Sequence, residues 1–293
     1  MNAHVASTRR KYWIAGLASV VLTSCFAQAT LKKEDVTVSN QAIVEAVQRG
    51  DFNAITAVPP DPTRLAEDLA KIAAQFNDQA SQIATILVGR YRGPQSTSFL
   101  IAMARSTHMQ AAVTAATTLG ELTEAPPAVE IARSIPQAKN PLVRGRLYLV
   151  LGRSREGPAL TALRTLLATE QDPDVRTKAT AAAARLGGDV ERAAFMQRVK
   201  SATADNAKDV YDELLYVGDV RFAKGLLPWL DQRGPVTRIG GDAEGRNARL
   251  CDLAVWTSMR LGVTLSISAT QLDNYDDATI QETRVALQQL AAP

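Results

Sequence analysis

The stretch GPALTALRTLLATEQDPDVRTKATAAAARLG, residues 157–187, decides the fold. Between Pro158 and Thr169 it carries Leu160, Leu163, Leu166 and Leu167 at three- and four-residue spacing. Apolar residues so spaced line one face of an α-helix. Asp172-Pro173 then reads as an N-cap side chain followed by proline at the first helical position, where the missing N–H costs nothing. Behind it Val175, Ala179, Ala182, Ala183 and Leu186 form a second helical stripe, closed by Gly187. Glycine just past the last apolar residue is the residue that takes the left-handed turn of a helix stop. The unit is helix A, short turn, helix B, glycine.

Outward from this stretch the unit recurs. A Val-Gly or Leu-Gly pair stands at 88–89, 119–120, 151–152, 186–187, 217–218 and 261–262, with gaps of 31, 32, 35, 31 and 44 residues. Each of the six glycines is expected to be a left-handed cap. Asn140-Pro141 precedes Asp172-Pro173 by 32 residues, and Val143-Arg144 precedes Val175-Arg176 by the same offset. A period of this size is the mark of a stacked-repeat architecture. Residues 157–187 resemble a HEAT repeat, of the kind also found in phycobilisome-lyase-like HEAT proteins. The resemblance implies an all-α fold, an α-α superhelix in which antiparallel helix pairs stack into a solenoid with the B helices on the concave side. It also implies a polar ladder between repeats, to which Asp172 and Arg176, and before them Asn140 and Arg144, correspond. The likeness is strong over 140–187, fair over 94–140 and 188–265, and poor before 94.

This register places repeats at about 62–92, 94–120, 125–153, 157–187, 189–218 and 220–262, together a repeat domain over 62–265. Residues 30–61 hold an N-terminal helical cap, starting at Ser39 and covering 40–58. Residues 266–293 hold a C-terminal capping helix over 276–291. Terminal caps are needed because an outer repeat would otherwise expose its apolar face.

Composition agrees. Alanine supplies 48 of 293 residues while aromatics make up 5%, which favours helix over sheet. At the N-terminus, Arg9-Arg10-Lys11, the apolar run Tyr12 to Leu22 and Ala27-Gln28-Ala29 follow the plan of a secretory signal peptide, residues 1–29. Thr8-Arg9-Arg10-Lys11 also resembles a twin-arginine export signal, although Trp13 and Ile14 depart from its usual tail. Leu22-Thr23-Ser24-Cys25 resembles a lipoprotein signal, which would end at residue 24 and leave Cys25 as the lipidated first residue. The expected location is periplasmic or secreted, or, with a lipid on Cys25, the outer membrane. The lipid anchor is then the one membrane contact. Removal of residues 1–29 takes away three basic and no acidic residues, leaving 30 of each sign. A neutral chain argues against a nucleic-acid partner.

Catalytic signals are absent. Once residues 1–29 are gone, His108 is the sole histidine, too few for a zinc cluster, and no serine sits in a nucleophile elbow. Neither a phosphate-binding glycine loop nor a calcium loop is present, so no cofactor and no metal is expected. Cys251, flanked by Leu250, Leu253 and Ala254, reads as a buried thiol, and Asp273 to Asp277 as acids at the start of the last helix. The expected function is a non-catalytic scaffold or adaptor for a protein partner in the cell envelope. The alternatives are an inhibitor of a toxin, or a HEAT-type enzyme such as a bilin-lyase-like protein. The connection after Trp229-Leu230 breaks the repeat, and its long charged, glycine-rich course, 232–246, marks a partner site. Trp229, Arg233, Arg238, Asp242, Glu244 and Arg246 are its candidate residues, and Trp256 lies on the next helix. Arg144 and Arg176, with Arg146 and Arg153, form a second candidate strip. Mass spectrometry of the mature N-terminus tests the address: Thr30 is expected after peptidase cleavage, a lipidated Cys25 after lipoprotein processing, and an intact Met1 contradicts export.

Overall fold

Helix boundaries fall where capping chemistry puts them. The computed structural model describes residues 39–51, 53, 59–75, 78–91, 95–154, 157–236, 247–268 and 271–291. Helix α1 (Asn40–Gln48) begins behind Ser39, whose hydroxyl accepts from the Ala42 N–H at 3.2 Å. It is shorter than the expected 40–58 because Gly50, at φ +73°, turns the chain. Helix pairs follow along the chain: α2 (Pro62–Ala73) with α3 (Asp78–Tyr91), then α4 (Ser96–Ala104) with α5 (Met109–Glu121). Next come α6 (Ala128–Ser134) with α7 (Pro141–Leu151), α8 (Ala159–Thr169) with α9 (Pro173–Arg185), and α10 (Asp189–Lys200) with α11 (Ala207–Val217). The sixth pairs a 3₁₀ helix (Val220–Asp231), which contains Pro228, with α12 (Leu250–Arg260), and α13 (Asp277–Gln289) closes the chain. Asn140 and Asp172 cap as expected: the first accepts from the Leu142 N–H at 2.8 Å, the second from Asp174 and Val175 at 3.0 and 3.1 Å. Asp276 caps α13 through the Thr279 N–H at 2.8 Å.

The B helices form one row, α3 on α5, α5 on α7, α7 on α9, α9 on α11 and α11 on α12. The protein is an all-α helical solenoid. Its core comes in two parts that meet at α9. Ala179, Ala182 and Ala183 face the part that runs back to Ile43, and Ala181 and Ala184 face the part that runs on to Leu287. All five are at most 1% exposed. The stretch 181–184 of α9 is buried on every side, and its small side chains let four neighbours, α7, α8, α10 and α11, pack against one helix. Tyr216 of α11 reaches across α9, contributing to both core parts and donating its hydroxyl to the Leu149 carbonyl at 2.7 Å.

The glycine period is real, but only half of it is capping. Gly187, Gly218 and Gly262 have φ of +89°, +69° and +98°. Gly89 and Gly120 instead lie inside α3 and α5, and Gly152 ends α7 in right-handed geometry at φ −68°. Close approach explains two of these. A Cβ on Gly89 would strike the Thr118 methyl of α5, and one on Gly152 would lie 2.7 Å from the Ala182 Cβ and against the Tyr216 hydroxyl.

The ladder between repeats is also present, with a different acid from the one expected. Arg144 grips Glu170 with two parallel bonds of 3.0 Å, while its other arm reaches the Ala138 and Lys139 carbonyls at 3.3 and 3.2 Å. Asp172 is occupied by its capping bonds, and Glu170, in the turn just before it, has the reach to meet the previous repeat. Arg176 donates to the Leu167 and Glu170 carbonyls at 3.0 and 2.9 Å, closing the end of α8. Further rungs are Arg164 on Glu191, both bonds 2.9 Å, and Glu213 held between Lys178 at 2.8 Å and Arg198 at 2.7 Å. Asp219 takes both Arg192 and Arg221.

Two outcomes follow from this packing. Ala182→Leu should overpack the α7–α9 contact and cost about 1–3 kcal/mol in urea unfolding, whereas a neutral result would mean that α9 is not the shared helix. The second concerns acid. Arg144, Arg164 and Arg221 hold Glu170, Glu191 and Asp219 below the usual carboxylate range. Groups lowered in the folded state stabilise it above their unfolded pKa, roughly 4. The urea midpoint should therefore fall as pH drops through about 4 and below, and Arg144→Met should flatten that slope.

Candidate protein-binding surface

The structure divides the expected site residues into three groups. Trp229 belongs inside, as a correction to its expected place on the surface: it is fully buried, and its indole N–H donates to the Val199 carbonyl at 2.8 Å. It shares a buried face of the 3₁₀ helix with Phe222, Leu226 and Leu230, and Phe222 meets Phe195 of α10 edge-on at 5.1 Å. Arg144 and Arg176 are brought together around Glu170, Arg144 on its carboxylate as a rung of the ladder and Arg176 on its carbonyl within the same repeat. Arg238, Asp242, Glu244 and Arg246 lie outside the described residues, as does Cys25.

The base of the long connection is stapled. Val236 donates to the Ala248 carbonyl at 2.8 Å and Leu250 to the Gly234 carbonyl at 3.2 Å, an antiparallel bridge across Pro235 and Arg249. Cys251 adds a backbone bond to Gln232 at 3.1 Å. Arg233 pairs with Asp277 at 2.8 Å and Arg284 with Asp231 at 2.6 Å, so α13 is tied to the root of the connection. Arg249 grips Asp252 with bonds of 2.8 and 2.7 Å, and the Tyr275 N–H adds a third at 3.0 Å. The Cys251 thiol is buried, and that burial pushes its pKa up, the opposite of an activated nucleophile.

The accessible aromatic cluster stands elsewhere, at the seam of α11 and α12. Trp256 donates its indole N–H to the Tyr211 hydroxyl at 3.2 Å, and both rings are half-buried. Lys208 sits 5.6 Å from the Tyr211 centroid and the Arg260 guanidinium 5.7 Å from that of Trp256. Asp212 pairs with Lys208. Half-covered tyrosine and tryptophan flanked by cations are the residue types that dominate protein-binding hot spots. Sequence reasoning picked out Trp256 but missed Lys208, Tyr211 and Arg260. The signal within each helix is legible, Lys208 to Tyr211 at three residues and Trp256 to Arg260 at four. Their meeting is not.

A second charged feature lies at the C-terminal ends of the B helices. Arg153, just after α7, donates to the Gly120 and Leu122 carbonyls at the end of α5. Arg185, the last residue of α9, donates to the Tyr216 carbonyl near the end of α11, and its guanidinium lies 5.0 Å from the Tyr216 ring centroid. Cations at helix C-termini complement the helix dipole, here across neighbouring repeats.

Comparison with known proteins supports the repeat assignment over the second to fourth repeats. No curated protein and no solved structure matches the chain. Residues 97–184, from α4 through α9, match the family described as HEAT repeats.

Proposed function

We propose that this chain is an exported, non-catalytic helical-repeat adaptor that binds a protein partner in the cell envelope. The observation that carries this reading is the Tyr211–Trp256 pair with its flanking cations, presented on a row of helices fixed by packing and ion pairs. A rigid scaffold holds such a cluster in its binding geometry, so little ordering entropy is lost on association. The three buried carboxylates among the described residues, Glu191, Glu213 and Asp252, are each held by arginine. That is the state of structural acids, not of groups that carry protons for a reaction. The connection at 232–246, stapled at its root beside the start of α12, supplies a second contact. The signal-like N-terminus supports periplasmic delivery, free or anchored through Cys25.

The test is capture from envelope fractions with the mature protein. Tyr211→Ala with Trp256→Ala should weaken capture by about tenfold or more, as loss of a hot-spot pair does, with the helical far-ultraviolet signal retained. Deletion of 237–246 should weaken it less. Capture that survives both changes undiminished would overturn this surface, and turnover of a captured molecule would overturn the non-catalytic reading.

A further inference from the structure

Arginine stands at or just past the ends of three B helices, Arg153 after α7, Arg185 ending α9 and Arg260 ending α12, whereas α5 ends on Glu121 and α11 has no base in its last turn. Acids gather at the opposite ends, where Asp172, Asp174, Asp209 and Asp252 sit at or near helix starts. Each choice suits the helix dipole locally. Summed over these B helices, it gives a chain of 33 basic and 30 acidic residues one edge where cations gather.

At the centre of that edge Arg153 and Arg185 face each other around Tyr216. Three features fix them. The Tyr216 ring is anchored by its hydroxyl bond to the Leu149 carbonyl and carries the Arg185 guanidinium at 5.0 Å. Arg185 is further tied to the Tyr216 carbonyl, and Arg153 to the carbonyls of Gly120 and Leu122. Gly152 leaves the space that the Tyr216 hydroxyl fills. These bonds use two of the five N–H donors on Arg153 and one on Arg185, leaving several on each without a hydrogen bond among the described residues. Among the described residues no carboxylate pairs with either guanidinium, unlike Arg144, Arg164, Arg192, Arg198 and Arg221, which all hold one. Burial and the nearby Arg185 both disfavour the charge on Arg153. Two like charges so placed are eased by a shared anion.

We propose that Arg153 and Arg185 form a carboxylate receptor for an acidic, extended segment of the protein partner. Adjacent helix axes are about 8–10 Å apart. A segment in the extended polyproline II conformation advances about 9 Å in three residues and returns its side chains to the same face every third residue, so side chains at i and i+3 match arginines on successive helices. Arg260, above Trp256, continues the row into the aromatic seam. Three cations across the row are too few for nucleic acid, which needs a longer phosphate-contacting face. A single compact anion would leave Arg260 unused. This inference rests on the adaptor reading and names what the partner presents.

The test uses the mature full chain and a hexaglutamate peptide, with hexaglutamine as control, followed by calorimetry at low salt. Hexaglutamate should bind and hexaglutamine should not. Arg153→Gln with Arg185→Gln should weaken binding about tenfold or more, as expected when charge-assisted contacts are lost. Arg105→Gln, which removes an exposed arginine bonded to Gln137, should leave binding unchanged. Because Arg153 also closes α5, Arg185→Gln alone, at an exposed position, gives the same reading in smaller measure if the double variant unfolds. Equal binding by variants and wild type overturns the proposal. So does inorganic phosphate that binds as tightly as the peptide, or a single-stranded oligonucleotide that binds more tightly. Failure here with envelope capture intact removes only the acidic segment, whereas loss of capture itself strikes the adaptor reading.

Discussion

The alanine surface of α9 sets the distance at which the two parts of the core meet. Five alanines, at 179 and 181 to 184, turn in both directions and are shut off from solvent. None offers much apolar area, so their contribution is less their own burial than the approach they permit to larger neighbours. Phe195 and Leu214 lie on one side, Leu147, Tyr148 and Leu163 on the other. Alanine also loses no side-chain entropy in a helix, so the buried stretch 181–184 is cheap to order. The same closeness lets Tyr216 reach past α9 to α7, a contact that skips a repeat.

Packing of small residues alone fixes separation better than register, because one alanine is much like the next. The charged rungs supply the register. Arg144 with Glu170, Arg164 with Glu191, and Lys178 with Glu213 each join neighbouring repeats, and Arg198, from the same repeat as Glu213, shares that carboxylate. The carboxylates of these rungs are largely shut off from water while their cations keep partial access to it, so a shift that removes the cation leaves the acid stranded. Slippage by one helical turn would strand several at once. The ladder therefore works against wrong registers more than it adds to stability.

This division of labour leaves the surface free for recognition. Arg144 is consumed by the ladder, Arg176 by the end of α8 within its own repeat, and Trp229 by the core. What faces outward is the Tyr211–Trp256 seam and the basic edge around Tyr216. Tyr216 lies five residues beyond Tyr211 on α11, so one helix carries a part of both features.

The sequence by itself determined the helices, their pairing and their period. N-caps such as Asn140 and Asp172, proline at the first position and apolar spacing act within a few residues, and local chemistry is readable in a linear chain. The glycine period was legible too, but its meaning was split. Left-handed turns at 187, 218 and 262 are local, whereas the close approaches at Gly89 and Gly152 depend on Thr118, Ala182 and Tyr216 about 30 to 60 residues away. Only the tertiary structure decided which acid each arginine meets, which tryptophan is buried, and which cations stand without a carboxylate. Trp229 and Trp256 are both aromatic residues on helices, and burial separates them through neighbours such as Val199 and Tyr211, 30 and 45 residues distant. Distances of that kind are set by how repeats stack, a property of the whole column of helices and of no single one.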